Sequence, residues 1–335
     1  SNIRLSKQVQ DCADASLTQE TIIHRRQPVG EETIFIDPRI MANLFVSLKS
    51  KPLAILAGVT DSGKSEAVRR FAETLTDGDS IRCQLMNGHA WWAEKTQDVS
   101  LFVEMQTRFN SMKLLAIIEE AWQPENRDRA FVVCLTHISP AEVLGFFSEV
   151  AYQLQHQEII RLPCIHLLEP IPYPPNLSLI GTLDTSHFNW FDEDLLSKTT
   201  IIQWRGSEMP TPTATSQSII ALDETEFLYS RVYKQGTARQ KLHHILGSEQ
   251  SVLKPLFRVE SLLNEHDIQL TEAVKEEMLI YVANAWSKEG IGLFDPKITS
   301  NLITALDLAL TQILLPRIGK IICNHPMLRR HLLLV

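Results

Sequence analysis

The chain has 335 residues, 44% of them hydrophobic and 21% charged, with 32 Lys and Arg against 40 Asp and Glu and a formal net charge of −8. That length suffices for one large or two smaller buried cores, and the balance is that of an ordinary globular protein. The acidic excess argues against a free-standing nucleic-acid binder, because phosphate-backbone affinity needs a basic face. The doublet Arg25-Arg26 and the run Arg329-Arg330-His331 read as solvated charge clusters. No apolar run approaches the ~20 residues of a membrane span, and the polar N-terminal stretch has no signal-peptide pattern. Five cysteines, at 12, 83, 134, 164 and 323, include no C-x-x-C pair. They indicate neither a disulfide framework nor a zinc site, and a reducing cytoplasm is expected.

Residues 1–33 are expected to be a linker or poorly ordered. In chain order, apolar spacing then predicts a helix over 38–50, a strand over 53–57, a helix over 66–75 and a short strand over 80–85. A helix follows over 114–122. The apolar run AFVVCL, 130–135, suits a buried parallel strand. Ser139-Pro140 precedes a helix over 141–156. Strands are expected at 177–183 and 200–204. The stretch 206–218 is rich in Pro, Thr and Ser and reads as a linker. Beyond it strand signals vanish, and helices are expected over 224–232, 238–246, 252–264, 271–287 and 297–315. Strands alternating with helices, then helices alone, predict an α/β domain with a parallel sheet (34–205) followed by an all-helical domain (219–335).

The most specific signal lies between the first strand and its helix. Gly58-Val59-Thr60-Asp61-Ser62-Gly63-Lys64-Ser65 fits G-x-x-x-x-G-K-[ST], the phosphate-binding P-loop. Glycines let backbone N–H groups curl around phosphate oxygens. The lysine reaches the β/γ-phosphates, and the serine hydroxyl ligands Mg²⁺. Gly58, Thr60, Asp61, Ser62, Gly63, Lys64 and Ser65 are therefore the candidate nucleotide-binding residues, Ser65 the candidate Mg²⁺ contact, and ATP or GTP the expected cofactor.

Five phrases in order carry a family resemblance: DPRIMANLFVSLKSKPLAILAGVTDSGKS, GHAWWAEKTQDVSLF with Trp91 or Trp92, AEVLGFFSEV, PPNLSLIGTL and ALDLALTQILLPRIG. From residue 34 to about 318 the chain resembles the McrB-like branch of the AAA+ ATPases, motor subunits of modification-dependent restriction systems. The resemblance implies a P-loop AAA+ core followed by a helical lid. It also implies assembly in a ring, with itself or with a homologous AAA+ subunit, and a possible nuclease partner; the acidic charge and the lack of a membrane-length apolar run argue for no direct DNA or membrane contact.

The departures from the family pattern set the functional expectation. After AFVVCL the family places an Asp-Glu pair that orients Mg²⁺ and activates water; here stand Thr136 and His137. The sensor asparagine after IGTL is matched by Asp184, and the arginine finger by Lys198 in LLSKT, which keeps a charge but loses the bidentate fork. Within the P-loop itself, Asp61 replaces the usual middle glycine and brings a carboxylate to the phosphates. His137 reads either as an unusual general base or as an idle strand-end residue, the second being favoured. Lys297, in FDPKITSNL, matches a sensor-2 position, with a surface lysine as the equal alternative; Arg317 has no assignable role. Glu119-Glu120 and Asp192-Glu193-Asp194 read as solvated faces.

The expectation is a degenerate AAA+ subunit with weak or no hydrolysis and a structural or regulatory role. The alternative is an active ATP- or GTP-hydrolysing motor, and a P-loop kinase is disfavoured by the long helical half. Contacts to neighbours are expected from the 192–199 region and the helical half.

Overall fold

The computed structural model describes residues 37–51, 53–87, 99–138, 172–185, 196–197, 199–204, 222–247 and 250–324. The expected helix at 141–156, the linker at 206–218, the tryptophans at 91 and 92, and Lys198 lie outside them. Five parallel strands form one sheet in the order β2-β3-β4-β1-β5: β1 (Leu53–Gly58), β2 (Cys83–Asn87), β3 (Phe131–Ile138), β4 (Leu177–Asp184) and β5 (Thr200–Gln203). The strand that follows β3 in sequence is thus inserted between β3 and β1.

Every residue of β1 is buried, as expected for a central parallel strand covered on both faces. The period-two alternation of side chains divides its contacts. Ala54 and Leu56 join Val132, Cys134, Ile180 and Ile202 on one face, packed with helices α1 (Pro38–Ser50) and α2 (Lys64–Leu75). Leu53, Ile55 and Ala57 join Phe131, Val133, Leu135, Leu179 and Leu183 on the other, against α3 (Val99–Ala121) through Leu114, Ile117 and Ile118.

The helical half comprises α4 (Glu224–Tyr229), α5 (Gln235–Leu246), α6 (Gln250–Asn264), α7 (Glu272–Asn284), α8 (Ile298–Ala309) and α9 (Leu315–Asn324). Its apolar residues, among them Phe227, Leu242, Met278, Val282, Trp286 and Ile313, share the α1/α2-side core of the sheet. A π turn, Leu310–Leu314, joins α8 to α9, with the Leu315 N–H reaching the Leu310 carbonyl. Pro316 follows it immediately. Proline has no N–H to give and its ring clashes with a normal α-turn carbonyl, so a widened turn just before it is a physical accommodation.

That turn points Gln312 into a buried polar cluster. Asn43 Oδ1 on α1 accepts from Tyr281 Oη at 2.7 Å, Gln312 Nε2 at 2.8 Å and Ser47 Oγ at 3.2 Å. Asn43, Ser47, Tyr281 and Gln312 are all buried. Ion pairs add to the fastening: fully buried Lys49 meets Glu226 at 2.7 Å, and Glu277 pairs with Lys51 at 2.8 Å and with Arg317 at 2.9 Å. Burial pulls the Lys51 ammonium down to about 8 despite Glu277. Arg317 thus has a structural role that its sequence context did not reveal. Arg82, before β2, binds Glu224 of α4 at 2.5 Å, and the same carboxylate accepts from the Ala130 N–H ahead of β3.

Several boundaries differ from the sequence expectation. Strand β2 begins three residues later than expected, because Asp79 organises a turn through the N–H groups of Arg82 and Cys83, which donate to its carbonyl. Helix α3 starts well before 114, at Val99; over its whole length the apolar residues do not concentrate on one face, so periodicity missed its beginning. The last helix runs on to 324, past Pro316. The span Ile298–Gly319 is long and apolar enough to cross a membrane by length and composition, with 44% of it buried within the protein. It escaped notice as an apolar run because Asp307 and Arg317 interrupt it, and Ala305, Leu306, Ala309, Ile313 and Ile318 are core residues.

The three-donor convergence on Asn43 gives a stability test. Asn43→Ala leaves the buried Tyr281 hydroxyl and Gln312 amide without their acceptor. A loss of about 2–4 kcal/mol is expected from urea unfolding midpoints; a loss below about 1 kcal/mol would show that the cluster does not fasten the helices.

Candidate functional site

The candidate site lies at the C-terminal end of β1, where the chain passes through Val59–Gly63 into α2. Two neighbours flank this exit. On one side Gly58 pairs with Asp184 at the end of β4. On the other, Trp204, just beyond β5, donates its backbone N–H to the Ala57 carbonyl at 2.8 Å. A Cβ at Gly58 would stand 2.3 Å from the Trp204 carbonyl oxygen, so the first glycine of the motif is required by backbone contact.

The loop's second glycine, Gly63, caps α2 with φ +88°, a left-handed conformation that glycine adopts without steric cost. The Trp204 indole packs beside it, and its Nε1–H donates to the Ser62 carbonyl at 2.7 Å. A trans peptide sets its C=O and N–H on opposite sides. Fixing the Ser62 carbonyl toward Trp204 therefore turns the Gly63 N–H, at the N-cap of α2, away from that hydrogen bond. Trp204 was read from the sequence only as the end of a strand. The signal that it holds the loop is a through-space contact across β1 and β5, which no local pattern carries.

Lys64 is largely buried and folds back along its own loop. Its Nζ donates to the Gly58 carbonyl at 3.0 Å, to the Val59 carbonyl at 2.5 Å and to Ser62 Oγ at 3.3 Å. Burial lowers its proton affinity, and the carboxylates of Asp184 and Asp61 oppose that shift. Both acids are thus electrostatic neighbours of the lysine. Asp61 is exposed, with φ +53°. A non-glycine residue there is uncommon, which accounts physically for a glycine being the ordinary occupant of that position. Thr60 donates its hydroxyl to Asp184 Oδ2, and Ser62 Oγ donates to the Val59 carbonyl at 2.6 Å. Ser65 sits half-buried in the first turn of α2.

The two residues at the end of β3 are close by in the sheet but differ in setting. Thr136 is buried, its hydroxyl turned to Asn87 Oδ1 at 3.0 Å and the Met86 carbonyl at 3.3 Å on β2. His137 is exposed and has φ +55°. Its N–H donates to Thr182 Oγ1 on β4 at 2.9 Å, at an irregularity in the β3/β4 register. The kink at His137 was not readable from AFVVCLTH, which contains no glycine or asparagine to signal a left-handed residue.

Lys297 stands apart from this cluster in its bonding. It is the exposed N-cap of α8, and its N–H donates locally to Asp295 Oδ1 at 2.8 Å. Its neighbours Ile298, Ser300 and Ile303 line a shallow, open depression with it. The structure therefore brings together Gly58, Thr60, Asp61, Ser62, Gly63, Lys64, Ser65 and Asp184, and ties Thr136 and His137 to the adjoining strands. Among the described residues no group of three or more His, Cys, Asp or Glu side chains is arranged to hold a metal ion.

The donor set fits a phosphate group in part. A left-handed glycine, a helix N-terminus, a lysine and a serine hydroxyl are the right chemistry. Two carboxylates beside the lysine are the wrong charge. Comparison with known proteins adds no assignment: no family model matches the chain, and no curated protein matches it.

The left-handed His137 yields a test of whether that side chain does anything. His137→Gly is expected to leave stability within about 0.5 kcal/mol of wild type, relief of the backbone offsetting glycine's extra unfolded-state entropy. His137→Val should cost about 1–2 kcal/mol at the same φ. Equal losses from both, read by denaturant unfolding, would mean that the imidazole itself supports the fold.

Proposed function

We propose that this chain is a nucleotide-binding P-loop subunit of the AAA+ type, resembling the McrB-like branch, in which hydrolysis has been lost and a structural or regulatory role in an assembly remains. What supports the proposal is the strand–turn–helix at Gly58–Ser65, with Gly63 left-handed and Lys64 buried in the turn, together with non-acidic residues at the end of β3. In this reading Lys64 and the amides at the start of α2 would contact the phosphates of ATP or GTP, and the Ser65 hydroxyl would contact Mg²⁺. The α/β region would be the AAA+ core and the helical region its lid.

The same residues speak against efficient turnover. Hydrolysis needs a fixed negative charge to orient Mg²⁺ and a base or acceptor to position water. Thr136 has no charge, and its hydroxyl is engaged by β2. His137 is exposed, and among the described residues no group of three or more His, Cys, Asp or Glu side chains is arranged to hold a metal ion. Asp61 and Asp184, both felt by Lys64, oppose a triphosphate electrostatically. At ~4 Å and a surface-like dielectric each such repulsion amounts to about 4 kcal/mol before Lys64, Mg²⁺ or solvent offsets it.

The proposed partners are copies of this chain or a homologous active subunit in a ring, with a nuclease subunit as a further member. The acidic net charge of −8 favours protein over DNA as the direct contact. A cytoplasmic setting belongs to the same proposal. The active-motor alternative is separated by one assay. Phosphate release from Mg·ATP and Mg·GTP by the wild-type chain is expected to equal that of Lys64→Ala, and Lys64-dependent turnover above that background would establish the motor instead.

A further inference from the structure

We infer that Asp184 is an internal counter-anion of the phosphate loop: its carboxylate engages the Thr60 hydroxyl, a group a bound phosphate would use, and so sets how tightly the loop takes an anion. The inference rests on the nucleotide-binding reading above and adds to it a determinant of affinity. It gives Asp184 an active role opposing the ligand, in place of a sensor that has merely been lost.

The sheet order makes the contact possible. Because β4 lies between β3 and β1, the last residue of β4 stands level with Gly58, the last residue of β1. Two residues further on, Thr60 turns its hydroxyl back across that pair to Asp184 Oδ2. The carboxylate thus bridges the strand end and the loop. Lys64 lies in the same turn, its donors on the Gly58 and Val59 carbonyls and on Ser62 Oγ, with Asp184 and Asp61 the two carboxylates that favour its charged form. The loop is therefore satisfied by groups of the chain itself. A phosphate entering the loop must compete for Thr60, draw Lys64 off its carbonyls and approach a fixed negative charge. A charge-assisted hydrogen bond is about twice as strong as a neutral one, so the Thr60 contact is a real competitor.

Two substitutions separate this role from its alternatives. Asp184→Asn keeps an acceptor for Thr60 and removes the charge; Asp184→Ala removes both. The full chain, titrated with inorganic pyrophosphate with and without Mg²⁺, is expected to bind about tenfold more tightly in both variants, as removal of one like charge near the ligand predicts. Lys64→Ala in either background should abolish the gain. Tightening by Asp184→Asn alone would show that asparagine is itself a ligand and would overturn the counter-anion role. Weaker binding in both variants, confined to the Mg²⁺ titration, would make Asp184 a metal contact and overturn it equally. Amide hydrogen exchange of the anion-free proteins gives a second readout. Residues 59–63 should exchange faster in Asp184→Ala than in wild type. If no protein in the series binds pyrophosphate, the nucleotide-binding reading fails by itself; unchanged exchange at 59–63 defeats the Asp184–Thr60 contact whatever the titrations show.

Discussion

The parallel pairing of β1 between β4 and β5 is the constraint on which the site depends. Gly58 is hydrogen-bonded into register with Asp184 on one side, while the Trp204 backbone closes against Ala57 and Gly58 on the other. The loop that follows has little freedom left. Its first glycine must lack a side chain, its Ser62 carbonyl is held by the Trp204 indole, and its Gly63 takes a left-handed turn into α2. A central strand buried on both faces is rigid because its neighbours are packed to interior density. Rigidity of that kind is what preorganises backbone amides for an anion.

The helical region is bound by polar as well as apolar contacts, many of them to α1, the helix that precedes β1. Asn43, Tyr281 and Gln312 meet in the core, and Lys49, Lys51, Arg82 and Arg317 each pair with a carboxylate of another element or turn. Buried pairs of this kind contribute modestly as intact units but are costly to break. Three of the anchoring residues, Asn43, Lys49 and Lys51, belong to α1 or its C-cap, a short step before β1. Displacement of the helical region would therefore act on the segment that leads directly into the phosphate loop.

Much of the sheet was legible because its strands announce themselves by apolar, β-branched runs such as AFVVCL and LSLIGTL, and because G-x-x-x-x-G-K-S fixes a strand–turn–helix locally. Helix α1 was legible from residue 38 to 50, its observed bounds, because PRIMANLFVSLKS carries apolar residues at helical spacing. The beginning of α3 was not, for want of an apolar stripe. Nor were the strand order, the left-handed His137 or the grip of Trp204 on Ser62, all of which come from contacts between segments distant in sequence. Asp184 illustrates the division. Its difference from the asparagine of the pattern the chain resembles was visible in the sequence, but its hydrogen bond with Thr60 follows only from β4 lying beside β1. Lys297, matched to a sensor by sequence position, is bonded locally at the head of α8.

These features describe a strand–turn–helix whose donors fit a phosphate in part, with Asp61 and Asp184 as electrostatic neighbours of its lysine. In the proposed reading, the absence of acids after β3 would remove turnover, and Asp61 with Asp184 would weaken occupancy. Calorimetric titration of the wild-type chain with Mg·ATP and Mg·GTP tests the combination most directly. The account predicts dissociation constants of about 0.1 mM or weaker, about −5.5 kcal/mol. A constant of about 1 μM or below for either nucleotide would contradict it, because a loop satisfied by its own carboxylates could not hold a triphosphate that tightly.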